Sequence, residues 1–296
     1  MSLNKPIWKL RDWIDLNKLE WCLLSSNPNA IHLLEKNFDK INWYKLCRNA
    51  NAIDLIEKNL DKIEEPIFWN QLSSNPNAIK LLKKNKDKIN WTELSRNPSG
   101  IKLLEENPSE IDWWMSFNPN AVELLKKNKN LIEWSYLSAN PNAIDILEEN
   151  FDEIDWYYLS SNPNAIKLLE ANPNKLFWSE VSKNPNAIKL LKANPDKIDW
   201  YWLSENPNAI ELLEENQDKI NWNMLSRNPN AIELLKENPN KISFTISFNP
   251  SIFELDYEEI KKNNQKMHDE LLETVMEPSR VSKLGGREYL RELFGD

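Results

Sequence analysis

In this 296-residue chain two histidines and two cysteines are the only side chains whose ordinary pKa values suit general-base or thiolate chemistry near neutral pH. His32 and His268 stand far apart in the sequence, and His32 fills a helix position where neighbouring repeats carry Lys, Glu or Asp. Neither a Ser/His/Asp or Cys/His arrangement nor an HExxH run can be assembled from them. The carboxylates are abundant but fall at equivalent positions of a repeat, whereas a catalytic acid pair would have to break that pattern. Cys22 and Cys47 make neither a disulfide framework nor a metal cluster, which points to a reducing compartment. The expectation is a protein that is not an enzyme and has no cofactor or metal. The remaining chemistry is recognition, and the material for it is aromatic: 14 Trp, 7 Tyr and 9 Phe.

Those aromatics are set by a repeat. An asparagine opens each of eleven units, at Asn27, Asn49, Asn75, Asn97, Asn118, Asn140, Asn162, Asn184, Asn206, Asn228 and Asn249. The spacing is 22 residues, except for one of 26 and two of 21, and eight units read NPNA. Ten carry a tryptophan five or six residues upstream, at Trp21, Trp43, Trp69, Trp91, Trp113, Trp134, Trp156, Trp178, Trp200 and Trp222; Phe244 takes the place in the eleventh. A fixed period of this length marks a stacked array rather than a globular fold with one pocket.

In the unit Asp199 to Ile220, asparagine and proline at 206 and 207 suit an N-cap and first helical residue. A helix is therefore expected from Pro207 to Glu215, with Asn216 as a left-handed stop. Asp199 suits the cap of a second, shorter α or 3-10 helix starting at Trp200. The serine before each Asn-Pro suits a tight corner, and Cys47 replaces it once. Trp200, Leu203, Ile210, Leu212, Leu213 and Ile220 form an apolar set that one unit cannot bury alone. The fold class that follows is an all-α solenoid, a superhelix of about eleven 22-residue units, with the ten tryptophans in its core. Stacked at about 8–10 Å, the units would make a rod on the order of 100 Å long.

Residues 1–20 break the register and are expected to cap the first unit; 21–254 form the solenoid; 255–296 form a helical cap or docking tail. Amphipathic helices are predicted at 255–261 and 266–276, then a Gly285-Gly286 break and a last helix at 288–294. Extra residues around Glu64-Glu65-Pro66 predict a bulge in the stack. The units at Trp113 and Phe244 lack one residue in the short helix and place Phe117 and Phe248 before Asn-Pro. Lys83-Lys84, Glu105-Glu106, Lys126-Lys127 and Glu148-Glu149 alternate in sign and predict a charge ladder between units.

Function is expected where the units differ. The two residues after each tryptophan lie off the apolar stripe and, Tyr44 apart, become aromatic only in the middle of the array. Trp114, Tyr136, Tyr157, Tyr158, Tyr201, Trp202 and Met224 are the candidate partner-binding residues, with Lys183 and Arg227, and also Arg48 and Arg96, flanking them. The same rings suit simple packing between short helices, and both readings stand at this point. The net charge of −9 disfavours nucleic acid and anionic membranes. No run approaches the roughly 18–20 apolar residues of a membrane span, and the first residues do not resemble a signal peptide. A cytoplasmic location is expected.

The NPNAI-x-LL-x-x-N-x-DKI-x-W-x-x-LS unit resembles the tandem repeat proteins of nucleocytoplasmic giant DNA viruses, mimivirus relatives in particular, over about residues 20–250. Met276-Glu277-Pro278-Ser279-Arg280 is similar to a His-Pro-Ser-Arg tail motif of such proteins, with Glu277 in place of the His. The architecture is also similar to leucine-rich repeat variant solenoids. The resemblance implies a location in host cytoplasm or viral factory and supplies no catalytic residues. The leading expectation is a protein–protein interaction scaffold for a host or viral partner. A virion structural or assembly role and single-stranded nucleic-acid binding are the alternatives.

Overall fold

The polar letters of the repeat fix its geometry. In the computed structural model, which describes residues 6–275, each unit has a short helix, a turn, a longer helix and a 3-10 turn. In the unit read above these are Trp200–Leu203, the turn at Asn206, Ile210–Glu214 and Gln217–Lys219. Asp199 caps the short helix by accepting from the amides of Tyr201 and Trp202 at 3.1 and 3.3 Å. Ser204 Oγ donates to Trp200 O at 2.7 Å and accepts the amide of Asn221 at 3.0 Å, so one hydroxyl joins two units.

Asn206 departs from the expectation. It does not cap the longer helix, which starts at Ile210 behind an Ala209 that makes no side-chain bond. Its Oδ1 accepts the amide of Asn208 at 3.0 Å, the two-residue reach of an Asx turn. Its Nδ2 crosses to the preceding unit and donates to Ser182 O and Asn184 O, both at 3.0 Å. Asn208 Nδ2 adds a bond to Pro185 O at 2.9 Å. Asn216 is not left-handed either: φ is −134°, and its Nδ2 closes the helix by donating to Leu212 O at 2.9 Å. All eleven ladder asparagines are buried, and a buried amide is tolerated only when its hydrogen bonds are made.

The ladder has no end. Asn27, in the first unit, donates to Ser247 O and Asn249 O of the last, both at 3.0 Å. Asn29 Nδ2 donates to Pro250 O at 3.0 Å, and the amide of Glu20 donates to Ser247 Oγ at 2.9 Å. Interior junctions make the same ladder bonds, with Ser99 and Ser251 in place of the second asparagine at two of them, and helix Trp21–Leu24 packs on turn Phe244–Phe248 as its equivalents pack on theirs. The all-α solenoid therefore closes into a ring of eleven units rather than running out as a rod. At the same helix spacing of about 8–10 Å, the circle is roughly 30 Å across at the helix axes.

Closure also corrects the expected N-terminal cap. The 3-10 turn Leu16–Lys18, then Leu19 and Glu20, is placed as Phe38–Lys40, Ile41 and Asn42 are in the next unit. It supplies the second half of the eleventh unit, whose first half is Phe244–Ile252. The longer helix of that unit is missing, and Arg11 bridges the gap: its amide donates to Ile252 O at 2.9 Å and its Nε to Ser251 O at 2.8 Å. The first unit thus has no wet face to cap.

The ring, Leu10–Phe253, is one compact unit, and a second takes in residues 6–9 and 254–275 of those described. In that second unit strands β1 (Trp8–Leu10) and β2 (Phe253–Leu255) pair, Lys9 lies 3.4 Å from Glu254, and the amide of Asp256 donates to Ile7 O at 2.8 Å. One uninterrupted helix, Tyr257–Val275, replaces the two predicted there. The 276–280 motif, Gly285-Gly286 and the 288–294 helix lie outside the described residues.

Successive short helices pack closely almost all the way round, while successive longer helices do not. The short helices therefore take the smaller, inner circumference. In the core, Leu203, Leu213 and Ala209 are fully buried, with Leu212 and Ile220 nearly so. Of the ten tryptophans expected there, only Trp69 is buried, at 2% exposure. Trp21, Trp43, Trp91, Trp134, Trp156, Trp178, Trp200 and Trp222 are half-buried and Trp113 is exposed. The indole opens a helix too short to cover it. The lysine of the following DKI segment lies over the ring in several units, as Lys219 does over Trp200 at 4.6 Å and Lys40 over Trp21 at 4.6 Å.

The irregular units keep the ladder by adjusting the short helix. Where one residue is missing, Trp113–Phe117 and Phe244–Phe248 wind as 3-10, whose longer rise spans the distance with fewer residues. The insertion near Glu64 lengthens the helix to Pro66–Ser73 with proline in its first turn. The insertion and the shortening at Trp113 displace the amide that the preceding serine hydroxyl would accept, whereas Ser226 still accepts the amide of Ser243 at 3.0 Å. At the insertion that serine is Cys47, fully buried, with its thiol pushed up to about 12 by burial. At the Trp113 unit Ser95 Oγ is left buried without a hydrogen-bond partner. On the outer helices the charge ladder is realised in part, by Lys83–Glu106 at 3.2 Å and Lys84–Glu57 at 3.5 Å, while Lys126 turns to Glu123 in its own helix at 2.7 Å. Such exposed pairs contribute about 0–1 kcal/mol each.

Two predictions follow from closure and from the serines. Asn27→Ala and Asn162→Ala should destabilise the fold by the same amount, on the order of 3–5 kcal/mol each and read as equal drops in melting temperature, since both remove two donors to buried carbonyls and the acceptor of their own turn; an open array would tolerate Asn27→Ala much better. Ser160 accepts the amide of Phe177 at 3.1 Å, so Ser160→Ala should cost about 1–3 kcal/mol, whereas Ser95→Ala should be neutral or stabilising.

Candidate functional site

Within each full-length short helix the second residue after tryptophan and the residue before the ladder asparagine stand three apart, hence on one face, and in the shortened Trp113 unit Trp114 and Phe117 take those places. Closure directs that face toward the ring's inner side. Phe117 reaches Tyr158, two units on, with ring centroids 6.4 Å apart, the convergence expected of side chains on a concave surface.

Trp114, Phe117, Tyr136 and Tyr158 meet on this face. Tyr136 stacks on Phe117 at 4.2 Å and on Trp114 at 5.2 Å, with interplanar angles of 23° and 13°, and meets Tyr158 edge-on at 5.8 Å. The cluster continues over the edge of the ring. Trp113 stacks on Trp114 at 4.5 Å, Tyr157 meets Tyr158 at 5.5 Å, and Phe177 meets Tyr157 at 5.4 Å. Tyr157 and Phe177 are 43% and 47% exposed, far more than packing between helices requires. Arg96 closes one end of the cluster, with its guanidinium 5.0 Å from the Trp114 ring and 5.5 Å from Phe117.

Beyond the cluster lies a charged junction. Glu180, 7% exposed, accepts from Lys183 Nζ at 2.6 Å, and the Lys183 ammonium sits 3.8 Å from the Trp202 ring. A hydrogen bond to the Glu180 carboxylate holds the Tyr157 phenol above its ordinary range. Tyr201, 45% exposed, packs edge-on against Trp202 at 4.9 Å. Arg227 Nε pairs with Glu205 at 3.0 Å and its guanidinium covers Phe248 at 5.4 Å.

Trp114, Tyr136, Tyr157 and Tyr158 are thus brought together, and Lys183 with Tyr201 and Trp202 forms a second group. Met224 is not part of either: at 3% exposure it is a core residue, since its long apolar chain folds into the stack. The residues missed are Trp113, expected in the core, Phe117 and Phe177. The signal for Phe177 is its place in the capping slot that holds Asn or Asp in six of the other units, where it makes no side-chain cap bond. Among the described residues no group of three or more His, Cys, Asp or Glu side chains is placed to hold a metal ion.

No family model, curated protein or solved structure matches this chain. Separation of site from scaffold is testable by stability alone. Leu159 is fully buried, so Leu159→Ala should cost about 2–5 kcal/mol; Trp156, half-buried under Lys175 at 4.7 Å, should cost roughly half that. Tyr201→Ala should change the melting point by no more than the ~0.5 kcal/mol typical of surface positions. Equal losses for Tyr201 and Leu159 would make the aromatic face part of the core.

Proposed function

We propose that this protein is a non-catalytic protein–protein interaction scaffold, and that the aromatic face of the short helices is its contact surface. The observation that carries the reading is the continuous cluster Trp113, Trp114, Phe117, Tyr136, Tyr157, Tyr158 and Phe177, part of it well exposed, in consecutive units. The repeat needs no aromatic there, since the same slots hold Lys45, Gln71 and Glu93 in earlier units that close the same ladder. Tyrosine and tryptophan dominate the energetically important centres of interfaces, and arginine accompanies them. Arg96 and Lys183 border the cluster in that way.

The partner is a protein, of host or viral origin if the resemblance to giant-virus repeat proteins holds, met in the cytoplasm or viral factory. Nucleic acid is disfavoured by the charge of −9. No helix among the described residues is long and apolar enough to cross a membrane.

Capture from nuclease-treated lysate, read by mass spectrometry, tests this reading with wild-type and Tyr158→Ala/Trp202→Ala baits. A stoichiometric soluble partner lost with the double variant, at unchanged helicity, is expected. Recovery of capsid proteins alone would move the assignment to virion assembly.

A further inference from the structure

The inner face also carries charge, and its balance is opposite to that of the whole chain. Over the eleven units its two slots hold five cations, Lys45, Arg48, Arg96, Lys183 and Arg227, against three carboxylates, Glu93, Glu180 and Glu205. Two of the carboxylates are neutralised locally, Glu180 by Lys183 and Glu205 by Arg227. Lys45, Arg48 and Arg96 have no carboxylate within ion-pair distance among the described residues. Arg96 belongs to the unit directly before the aromatic cluster, with Glu93 one turn away in the same short helix, and Lys45 and Arg48 lie two units earlier, beyond Gln71 and Ser74; Arg48 and Arg96 are exposed. In a chain of net charge −9, three cations against one carboxylate on the approach to an aromatic cluster make a complementary surface for an acidic ligand.

The rings narrow the ligand class further. A single-stranded nucleic acid needs free ring faces on which bases stack. Here Trp114, Phe117 and Tyr136 stack on one another, Arg96 lies over Trp114 and Phe117, and Lys183 lies over Trp202. Ring edges and the apolar clefts between them remain, which suit apolar side chains. A peptide in the extended polyproline II conformation advances about 3.1 Å per residue with three residues per turn, so every third side chain faces the same way and meets successive units at a spacing of roughly 8–10 Å.

Resting on the interaction reading above, we propose that the inner face binds an extended acidic peptide segment. Its Asp or Glu side chains pair with Lys45, Arg48 and Arg96, and its apolar side chains enter the cluster around Tyr136. The probes are fluorescein-labelled peptides of four Asp-Asp-Phe, Lys-Lys-Phe or Asp-Asp-Ser triplets, titrated with the full chain and followed by anisotropy. The Asp-Asp-Phe peptide should bind at least about tenfold more tightly than either control, and should weaken at roughly 0.5 M salt. Arg48→Glu, at an exposed side chain with no partner, should weaken it about tenfold at an unchanged melting point, and Arg48→Glu/Arg96→Glu should abolish it.

Equal binding of the Lys-Lys-Phe peptide, no binding of the Asp-Asp-Phe peptide, or indifference to Arg48→Glu would overturn the proposal. So would displacement of the peptide by oligo-dT at equal concentration. If these fail while lysate capture still depends on Tyr158 and Trp202, the acidic class is wrong and the interaction reading survives. If the capture fails as well, both fall.

Discussion

Everything in this molecule depends on a buried amide that has to find its hydrogen bonds in the next unit. The side chain of each ladder asparagine makes one bond within its own turn and two to carbonyls of the preceding unit. An apolar interface tolerates small slips, because dispersion and burial are not directional. A fully buried amide does not, since a shift of one residue leaves donors and acceptors orphaned at about 1–3 kcal/mol each. The ladder therefore sets register, while leucines such as Leu203 and Leu213 supply the driving force. This division explains why insertions and deletions fall in the short helix and never between the asparagine and its turn. Winding Trp113–Phe117 as 3-10 absorbs a lost residue without moving Asn118, which still reaches Ser95 O and Asn97 O at 2.9 and 2.8 Å.

Because register is held by the asparagine, serine and leucine, the remaining inward positions are free to vary. Lys45, Gln71, Glu93, Tyr136, Tyr158 and Trp202 occupy one structural slot with no common chemistry. Variation of that kind on a rigid frame is how repeat proteins acquire a binding surface without altering their fold. The tryptophans show the intermediate case. Five of them, Trp21, Trp69, Trp156, Trp200 and Trp222, lie under a lysine of the following unit, and all of these but the buried Trp69 stay half-exposed. Trp113 crosses over altogether and joins the aromatic cluster by stacking on Trp114 and Tyr136.

Much of the unit was legible in the sequence. The period, the two helices, the Asp199 cap and the uneven aromatics at 114, 136, 157 and 158 all follow from residue type and spacing. Three things were not. Asn206 reads as an N-cap because asparagine before proline satisfies both local preferences; its reach into the neighbouring unit is tertiary and leaves no local trace. Trp200 reads as core because indole is large and apolar, but depth is decided by the length of the helix that carries it. Closure was hidden because curvature is a sum of small rotations, each too slight to be encoded in one residue. The clue was present at Leu16–Trp21, a second half-unit without a first, whose missing partner is Phe244–Ile252 at the other end of the chain.

Closure changes how the array is stabilised. An open stack of repeats has two terminal interfaces without neighbours, which fray and need capping. Here the junction between Asn27 and Asn249 has the bonding of an interior one, across 222 residues of sequence. Joining ends that far apart from a disordered chain costs about 2 kcal/mol more than joining neighbouring units, by the logarithmic law for loops. That cost is not met in one step. Each unit added to a curved stack carries the growing end around the circle, so the last junction forms between surfaces already near each other. Once formed, it removes both free ends together. Any unit can then open only by breaking two interfaces, and the aromatic face is held on a frame with no weak terminal element.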